Sequence, residues 1–157
     1  MYLCLAEARR ALEEHEVPIG ALIVMQGKVI ARAHNVTRKT GRPTAHAEIL
    51  AIEEAARVIG NSRLVGATLF TTKEPCIMCA GAIVEARIKR LVFGCFDERR
   101  GAFGSMIDVN ALPVNHRVET IGGILKQECA ALLRKFFEAR RGTEVAITGP
   151  TRNRLYA

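Results

Sequence analysis

Tryptophan is absent from this chain of 157 residues, and aromatic residues make up only 5% of it. That argues against a platform that holds single strands by serial base stacking. Long apolar runs are missing as well. The longest, Val17 to Met25, is interrupted by Pro18 and Gly20 and falls far short of the ~20 residues a membrane span needs. The opening residues carry Ala, Arg and Glu in a helical pattern, so no cleavable signal is expected. Cysteines are few and odd in number: Cys4, Cys76, Cys79, Cys95 and Cys129. This is no disulfide framework, and a CxxC pair in such a chain points to metal or redox chemistry in the cytoplasm. A membrane protein, a secreted disulfide miniprotein, a coiled coil and a collagen-like chain are thereby excluded.

What is present is an ordinary globular mixture, 49% hydrophobic and 25% charged, of one domain's length. A chain of this size buries roughly 68–70% of its unfolded surface and needs no staples. Lys and Arg number 23 against 16 Asp and Glu, a formal charge of +7. Most of that excess lies in the second half, with Arg134, Lys135, Arg140, Arg141, Arg152 and Arg154 near the end. A basic face suits a polyanion such as nucleic acid; a merely solubilising surface would look the same in composition.

Leu5, Ala8 and Leu12 predict a helix over residues 2–15. Val17–Met25 and Val29–Ala33, flanking Gln26-Gly27-Lys28, predict a hairpin. Residues 35–45 read as a loop, followed by a helix striped by Ile49, Ile52 and Ala56 and ended at Gly60 or Asn61. Ala67–Thr72 reads as a strand, the stretch from Pro75 to Arg87 as a helix, and Arg90–Cys95 as another strand. Residues 97–117 read as a long irregular segment, of the kind that often carries function. Val118–Ile121 reads as a last strand, and Leu125, Cys129, Leu132, Leu133, Phe136 and Phe137 as the stripe of a last helix. Strands separated by helices imply an α/β sheet with helices on both faces, and the early hairpin makes that sheet mixed. Residues 1–141 are read as a single domain and residues 142–157 as a C-terminal tail, a candidate for disorder. Cys4, Cys95 and Cys129 are expected as small buried hydrophobes, His15 at the surface, and His116 and Asp108 in structural roles. One of Phe136 and Phe137 is expected to complete the apolar stripe, leaving the other exposed beside Arg134 or Arg140.

Two short segments carry chemistry: Thr44-Ala45-His46-Ala47-Glu48 and Glu74-Pro75-Cys76-Ile77-Met78-Cys79, each opening a helix. Cys76 and Cys79, three apart, share one helix face. Pro75 stands at or near the first helical position, where its missing N–H costs nothing. The helix N-terminus favours thiolates, the form a metal takes. His46 with the two cysteines makes the three-ligand set of a catalytic zinc, whose open position lowers the pKa of a water to roughly 7. Glu48 can shuttle that water's proton. Positions i and i+2 of a helix point about 200° apart, so His46 and Glu48 can serve one centre only at a helix mouth. Two alternatives remain at this point. A structural zinc would draw a fourth ligand from His34, Cys95 or His116, and a redox CxxC would leave His46 and Glu48 without a purpose.

The pair of segments resembles the His-x-Glu…Pro-Cys-x-x-Cys signature of the zinc nucleobase deaminases. Further segments narrow the likeness to the bacterial tRNA-specific adenosine deaminases. These are Glu16-Val17-Pro18-Ile19-Gly20-Ala21, Ala80-Gly81-Ala82-Ile83, Arg90-Leu91-Val92-Phe93-Gly94, Gly104-Ser105, Asn115-His116-Arg117 and Glu128-Cys129-Ala130-Ala131-Leu132-Leu133. The resemblance spans about residues 5–141. It implies a three-layer α/β/α cytidine-deaminase-like fold with a mixed five-stranded sheet, a homodimer, and one Zn²⁺ per subunit held by His46, Cys76 and Cys79. It implies conversion of the wobble adenosine to inosine in a tRNA anticodon stem-loop, usually of an arginine tRNA with an ACG anticodon. Glu48 is then the proton shuttle, serving N1 of adenine and the departing ammonia. Asn35 and the Ala47 N–H correspond to contacts on the flipped nucleotide, and Val17, Pro18 and Ile19 to a pocket wall. Asp97, Arg99, Arg100, Phe103 and Ser105 correspond to a loop facing the anticodon. The rival is a zinc deaminase of a small nucleobase or nucleoside (guanine, cytosine or cytidine), which would need neither the basic last helix nor that loop. A zinc-bearing RNA-binding subunit without catalysis would be expected to lack Glu48. Two departures stand out: the first helix is short, and Gly142 to Ala157 is not the lysine-rich tail usual in the family.

Overall fold

The structure, a computed structural model, describes residues 1–147. Five strands form one sheet in the order β2-β1-β3-β4-β5. They are β1 (Gly20–Met25), β2 (Lys28–His34), β3 (Thr68–Lys73), β4 (Arg90–Cys95) and β5 (Glu119–Ile121). The helices are α1 (Tyr2–Glu13), α2 (Thr37–Thr40), α3 (Ala47–Ile59), α4 (Ile77–Glu85) and α5 (Lys126–Ile147). β1 runs antiparallel to both β2 and β3, whereas β3, β4 and β5 are parallel. The sheet is therefore mixed, as the hairpin requires. Gln26 and Gly27 both take positive φ, 50° and 75°, the geometry of a two-residue turn whose twist matches its strands.

α3 and α4 pack against each other on one face of the sheet, and α1 and α5 on the other. The larger core lies on the first face. There Ala21, Ile23, Leu69, Leu91 and Phe93 of the strands meet Ala51, Ala55 and Ile83 of the helices. Leu5, Cys95 and Cys129 form a smaller cluster on the opposite side. Cys4, Cys95 and Cys129 are all buried, and His15 is exposed, as expected. The fit of α1 on β1 requires glycine: a Cβ on Gly20 would strike the Cys4 carbonyl and lie 2.7 Å from the Ala8 nitrogen. Those are backbone atoms and cannot swing aside. No helix among the described residues is long and apolar enough to cross a membrane.

Several boundaries differ from the sequence reading. β1 begins at Gly20 rather than Val17; Pro18 has no N–H for a ladder, and Ile19 N–H turns back to the Val17 carbonyl at 2.7 Å. The expected loop 35–45 contains the one-turn helix α2. It is anchored by buried Glu16, which accepts from Lys39 N–H at 2.7 Å and from the Thr37 hydroxyl at 3.3 Å. The irregular segment 97–117 includes a 3-10 turn, Val109–Ala111, capped by the Asp108 carboxylate on Asn110 N–H. α5 continues past Arg141 to Ile147. The rest of the expected tail, 148–157, lies outside the described residues.

Candidate active site

His46 is the N-cap of α3 and Cys76 the N-cap of α4. Both helix mouths therefore open on one point, and their dipoles favour negative charge there. Pro75 stands one place before the cap, not within the first turn. With His46 at the cap and Glu48 in the first turn, the two side chains reach the same place although they are two residues apart. The helix-mouth expectation holds.

The three expected ligand atoms form a tight triangle. Cys76 Sγ lies 3.7 Å from Cys79 Sγ and 3.7 Å from His46 Nδ1, and Cys79 Sγ lies 3.4 Å from His46 Nδ1. Zinc–sulfur bonds of ~2.3 Å and zinc–nitrogen bonds of ~2.0–2.1 Å in a tetrahedron give edges of about 3.8 Å between sulfurs and about 3.5 Å between sulfur and nitrogen. The triangle fits a single zinc ion. It is also the one group of potential metal ligands found among the described residues. The candidate fourth ligands are engaged elsewhere: His34 with Glu7, the Cys95 thiol on the Thr72 carbonyl, and His116 Nε2 with the Ile88 carbonyl. Among the described residues the triangle has three candidate ligands and no fourth, the pattern of a catalytic centre.

The three groups titrate as a hydrogen-bonded set. The hydrogen bond from Cys79, with help from His46, lowers the Cys76 thiol to about 3 against the penalty of burial. Cys79 goes the other way, raised by its hydrogen-bond contact with Cys76 and by burial. His46 is raised, chiefly through its hydrogen bond with Cys76. A metal bound here would take the place of the shared protons, since both sulfurs would have to bind as thiolates.

Glu48 is only 3% exposed. One carboxylate oxygen accepts from the Thr71 hydroxyl at 3.3 Å, and the other lies 3.7 Å from Cys79 Sγ. Burial pushes its carboxyl above the usual range, which suits a group that gains and loses a proton in one cycle.

A cavity of about 460 Å³ opens over these groups. It brings together Val17, Ile19, Asn35, His46, Glu48, Cys76, Asp97, Arg99 and Arg100, all expected from sequence. Cys79 lies buried behind it. Asn35 is 3% exposed, and its Oδ1 accepts from Ala47 N–H at 2.8 Å. That bond fixes the amide orientation and leaves Nδ2 as the donor for a ligand. It also occupies the Ala47 N–H expected to meet the base. Pro18 is buried and does not line the cavity.

Phe103 and Ser105 likewise do not face outward. Phe103 is 7% exposed and belongs to the main core, and Ser105 turns its N–H and hydroxyl onto Glu74. The reason lies about 30 residues earlier in the chain: buried Glu74 needs donors, and this loop supplies them. Asp97 pairs with Lys73. Although burial opposes it, the Lys73 ammonium, with the Arg99 and Arg100 N–H groups, holds the Asp97 carboxyl below its ordinary range.

Sequence reasoning missed Thr37, Lys73 and Glu74 in the cavity wall. Glu74 gave one signal, an acidic residue directly before a Pro-Cys-x-x-Cys run. Phe136 is buried, whereas Phe137 is 48% exposed and reaches the cavity. Next to the cavity, and sharing Arg99 and Phe137 with it, lies a groove of about 640 Å³ that also gathers Arg134, Arg140 and Arg141.

A mixed sheet with two helix mouths meeting at a His–Cys–Cys triangle and a buried carboxylate defines a deaminase of the zinc-dependent class. Residues 1–141 match the family model described as MafB19-like deaminase. A tRNA-specific adenosine deaminase of Bacillus subtilis is 46% identical over 136 residues, 86% of this chain and 84% of that one. Another from Agrobacterium fabrum is 46% identical over 142 residues, 90% of this chain and 93% of that one. A solved structure from a study of A-to-I editing by tRNA:A34 deaminases at the wobble position superimposes with a TM-score of 0.80 at 46% identity, covering 85% of this chain and 97% of that one. The chain belongs to the tRNA-specific adenosine deaminases.

Proposed function

We propose that this protein hydrolyses the wobble adenosine of a tRNA anticodon to inosine, with an ACG-anticodon arginine tRNA as the substrate to test. The observation that carries this reading is the position of Glu48, buried beside the His46–Cys76–Cys79 triangle at the floor of a cavity rimmed by arginines. The relatives' names supply the substrate class.

Zinc held by His46, Cys76 and Cys79 supplies Lewis acidity that makes a water nucleophilic at neutral pH. The chain's own residues do the rest. Glu48 takes one proton from the attacking water and places it on N1 of adenine, then carries the proton of the new C6 hydroxyl to the amino group, which leaves as ammonia, so that water and adenosine become inosine and ammonia. Thr71 orients the carboxylate by its 3.3 Å hydrogen bond. Asn35 offers Nδ2 to the nucleotide. Val17 and Ile19 form an apolar wall that excludes water from the base. Arg99 and Arg100 stand where phosphates flanking an extruded base need cations, and extrusion costs least from a single-stranded loop.

A homodimer with one zinc per subunit, acting in the cytoplasm, completes the proposal. Exposed Ile77 and Met106 beside Cys76 support the dimer as apolar surface that a second copy would cover.

The test incubates zinc-loaded protein with the ACG-anticodon tRNA, and in parallel with free adenosine, cytidine and guanine. Inosine at the wobble position, with no small molecule consumed, is expected. Ammonia from a small molecule with the tRNA untouched would overturn the RNA reading and leave the metal site standing. Binding of the anticodon stem-loop should also weaken steeply with salt. If three phosphates are neutralised, affinity falls about 20-fold between about 50 and 200 mM salt. A flat response would exclude the arginine rim as a phosphate site.

A further inference from the structure

Glu74 is 2% exposed, yet it carries a carboxylate one residue before Pro75 and two before the expected ligand Cys76. A buried carboxylate needs several hydrogen bonds to be tolerated. The hydrogen bonds to the Glu74 carboxylate all come from one distant loop. Oε2 accepts from Asp97 N–H at 3.0 Å and from the Ser105 hydroxyl. Oε1 accepts from Phe103 N–H at 3.0 Å and from Ser105 N–H at 3.1 Å. Two neighbouring contacts close the arrangement. Ala102 N–H donates to the Pro75 carbonyl at 2.9 Å, and the Glu74 N–H donates to the Cys95 carbonyl at 2.8 Å. The loop comes so close that a Cβ on Gly101 would collide with the Glu74 carboxyl group. The segment tied down in this way, 97–105, carries Asp97, Arg99 and Arg100, which wall the cavity.

We infer that Glu74 is a positioning residue for substrate binding. It gathers the backbone of the 97–105 loop onto the strand that leads into α4, and so sets Asp97, Arg99 and Arg100 at a fixed height over the metal triangle. It does not touch the reacting atoms. The inference rests on the proposed RNA substrate for its kinetic consequence, though not for its structural one. Four donors converge on an acceptor-only group, so the isosteric amide is a severe change. Gln presents an NH₂ to N–H and O–H groups that need an acceptor, and at least one is left buried and unpaired.

The experiment compares wild type, Glu74→Gln and the milder Ser105→Ala. It measures zinc content, kcat and KM on an anticodon stem-loop, and amide hydrogen exchange. In Glu74→Gln, zinc stays stoichiometric, kcat stays within about threefold, and KM rises about tenfold or more. Exchange quickens at Asp97, Phe103 and Ser105 but not in α3. Ser105→Ala, which keeps the carboxylate and removes one donor, gives a smaller KM rise of the same kind and serves if the glutamine variant does not fold.

Zinc lost from folded Glu74→Gln, or kcat lowered with KM unchanged, would assign Glu74 to the placement of Cys76 and overturn the inference. Unchanged exchange at the three amides would overturn it as well. A wild-type chain inert on RNA would instead count against the proposed substrate, and the exchange readout would still decide the role of Glu74.

Discussion

Glu48→Ala is expected to fold, bind a full complement of zinc, and lose turnover by about 10²–10⁴-fold, the range for a positioned acid–base group. The residue sits where proton transfer to a bound substrate would require it. It is buried, raised in pKa by that burial, held by Thr71 and aimed at the metal triangle. Unlike buried Glu16 and Glu74, it gathers no backbone N–H groups from another segment among the described residues, so its burial costs folding free energy with little structural return. The alanine variant also leaves a small cavity, so Glu48→Gln is the cleaner partner: it keeps volume and the Thr71 contact but cannot carry the proton. Both variants should be inactive, with zinc measured by elemental analysis and fold by circular dichroism. Turnover retained by Glu48→Gln would remove proton transfer through this side chain from the mechanism.

Cys76→Ala is the second large effect, and it differs in kind. It should lose metal and activity together, because a two-ligand remnant does not hold zinc in a site built for three. The loss should be visible without any substrate. A ligand that binds only the folded state stabilises it by mass action, by about 2.7 kcal/mol when present at ~100 times its Kd. A strong chelator should therefore lower the melting temperature of the wild type and leave that of Cys76→Ala unmoved. Full zinc occupancy in the variant would show that the triangle of Cys76, Cys79 and His46 is not the metal site.

The meeting of His46, Cys76 and Cys79 with Glu48 beside them was legible in sequence for a definite reason. Their geometry is set by short-range rules, a spacing of three on a helix and a cap position at a helix mouth, and such rules survive without knowledge of the tertiary fold. The order of elements was legible for the same reason, through hydrophobic period and turn residues. The rest depended on partners far along the chain. Nothing local to Phe103 or Ser105 announces that a glutamate 29 or 31 residues earlier will claim their backbone N–H groups. Nothing local to Ala47 shows that Asn35 will take its N–H. The one-turn helix α2 similarly forms on a carboxylate, Glu16, more than 20 residues away. Buried polar pairing is long-range information, and one sequence read by itself does not contain it.

The last helix connects the smaller core cluster to the cavity wall. Near its start Cys129 is clamped against the sheet, 1% exposed. Further along, Phe136 is buried beneath Arg140, whose guanidinium lies 5.9 Å from the ring, and Phe137 packs edge-on against Phe136. Phe137 in turn forms part of the cavity wall. Eight helical residues separate the fulcrum at Cys129 from the tip at Phe137, a lever arm of about 12 Å. A pivot of about 5° at the fulcrum displaces the tip by about 1 Å, enough to misplace a substrate by an amount that costs catalysis heavily. A repacking of the small Leu5–Cys95–Cys129 cluster that tilted this helix would therefore reach the mouth of the cavity, although the cluster is remote from the chemistry.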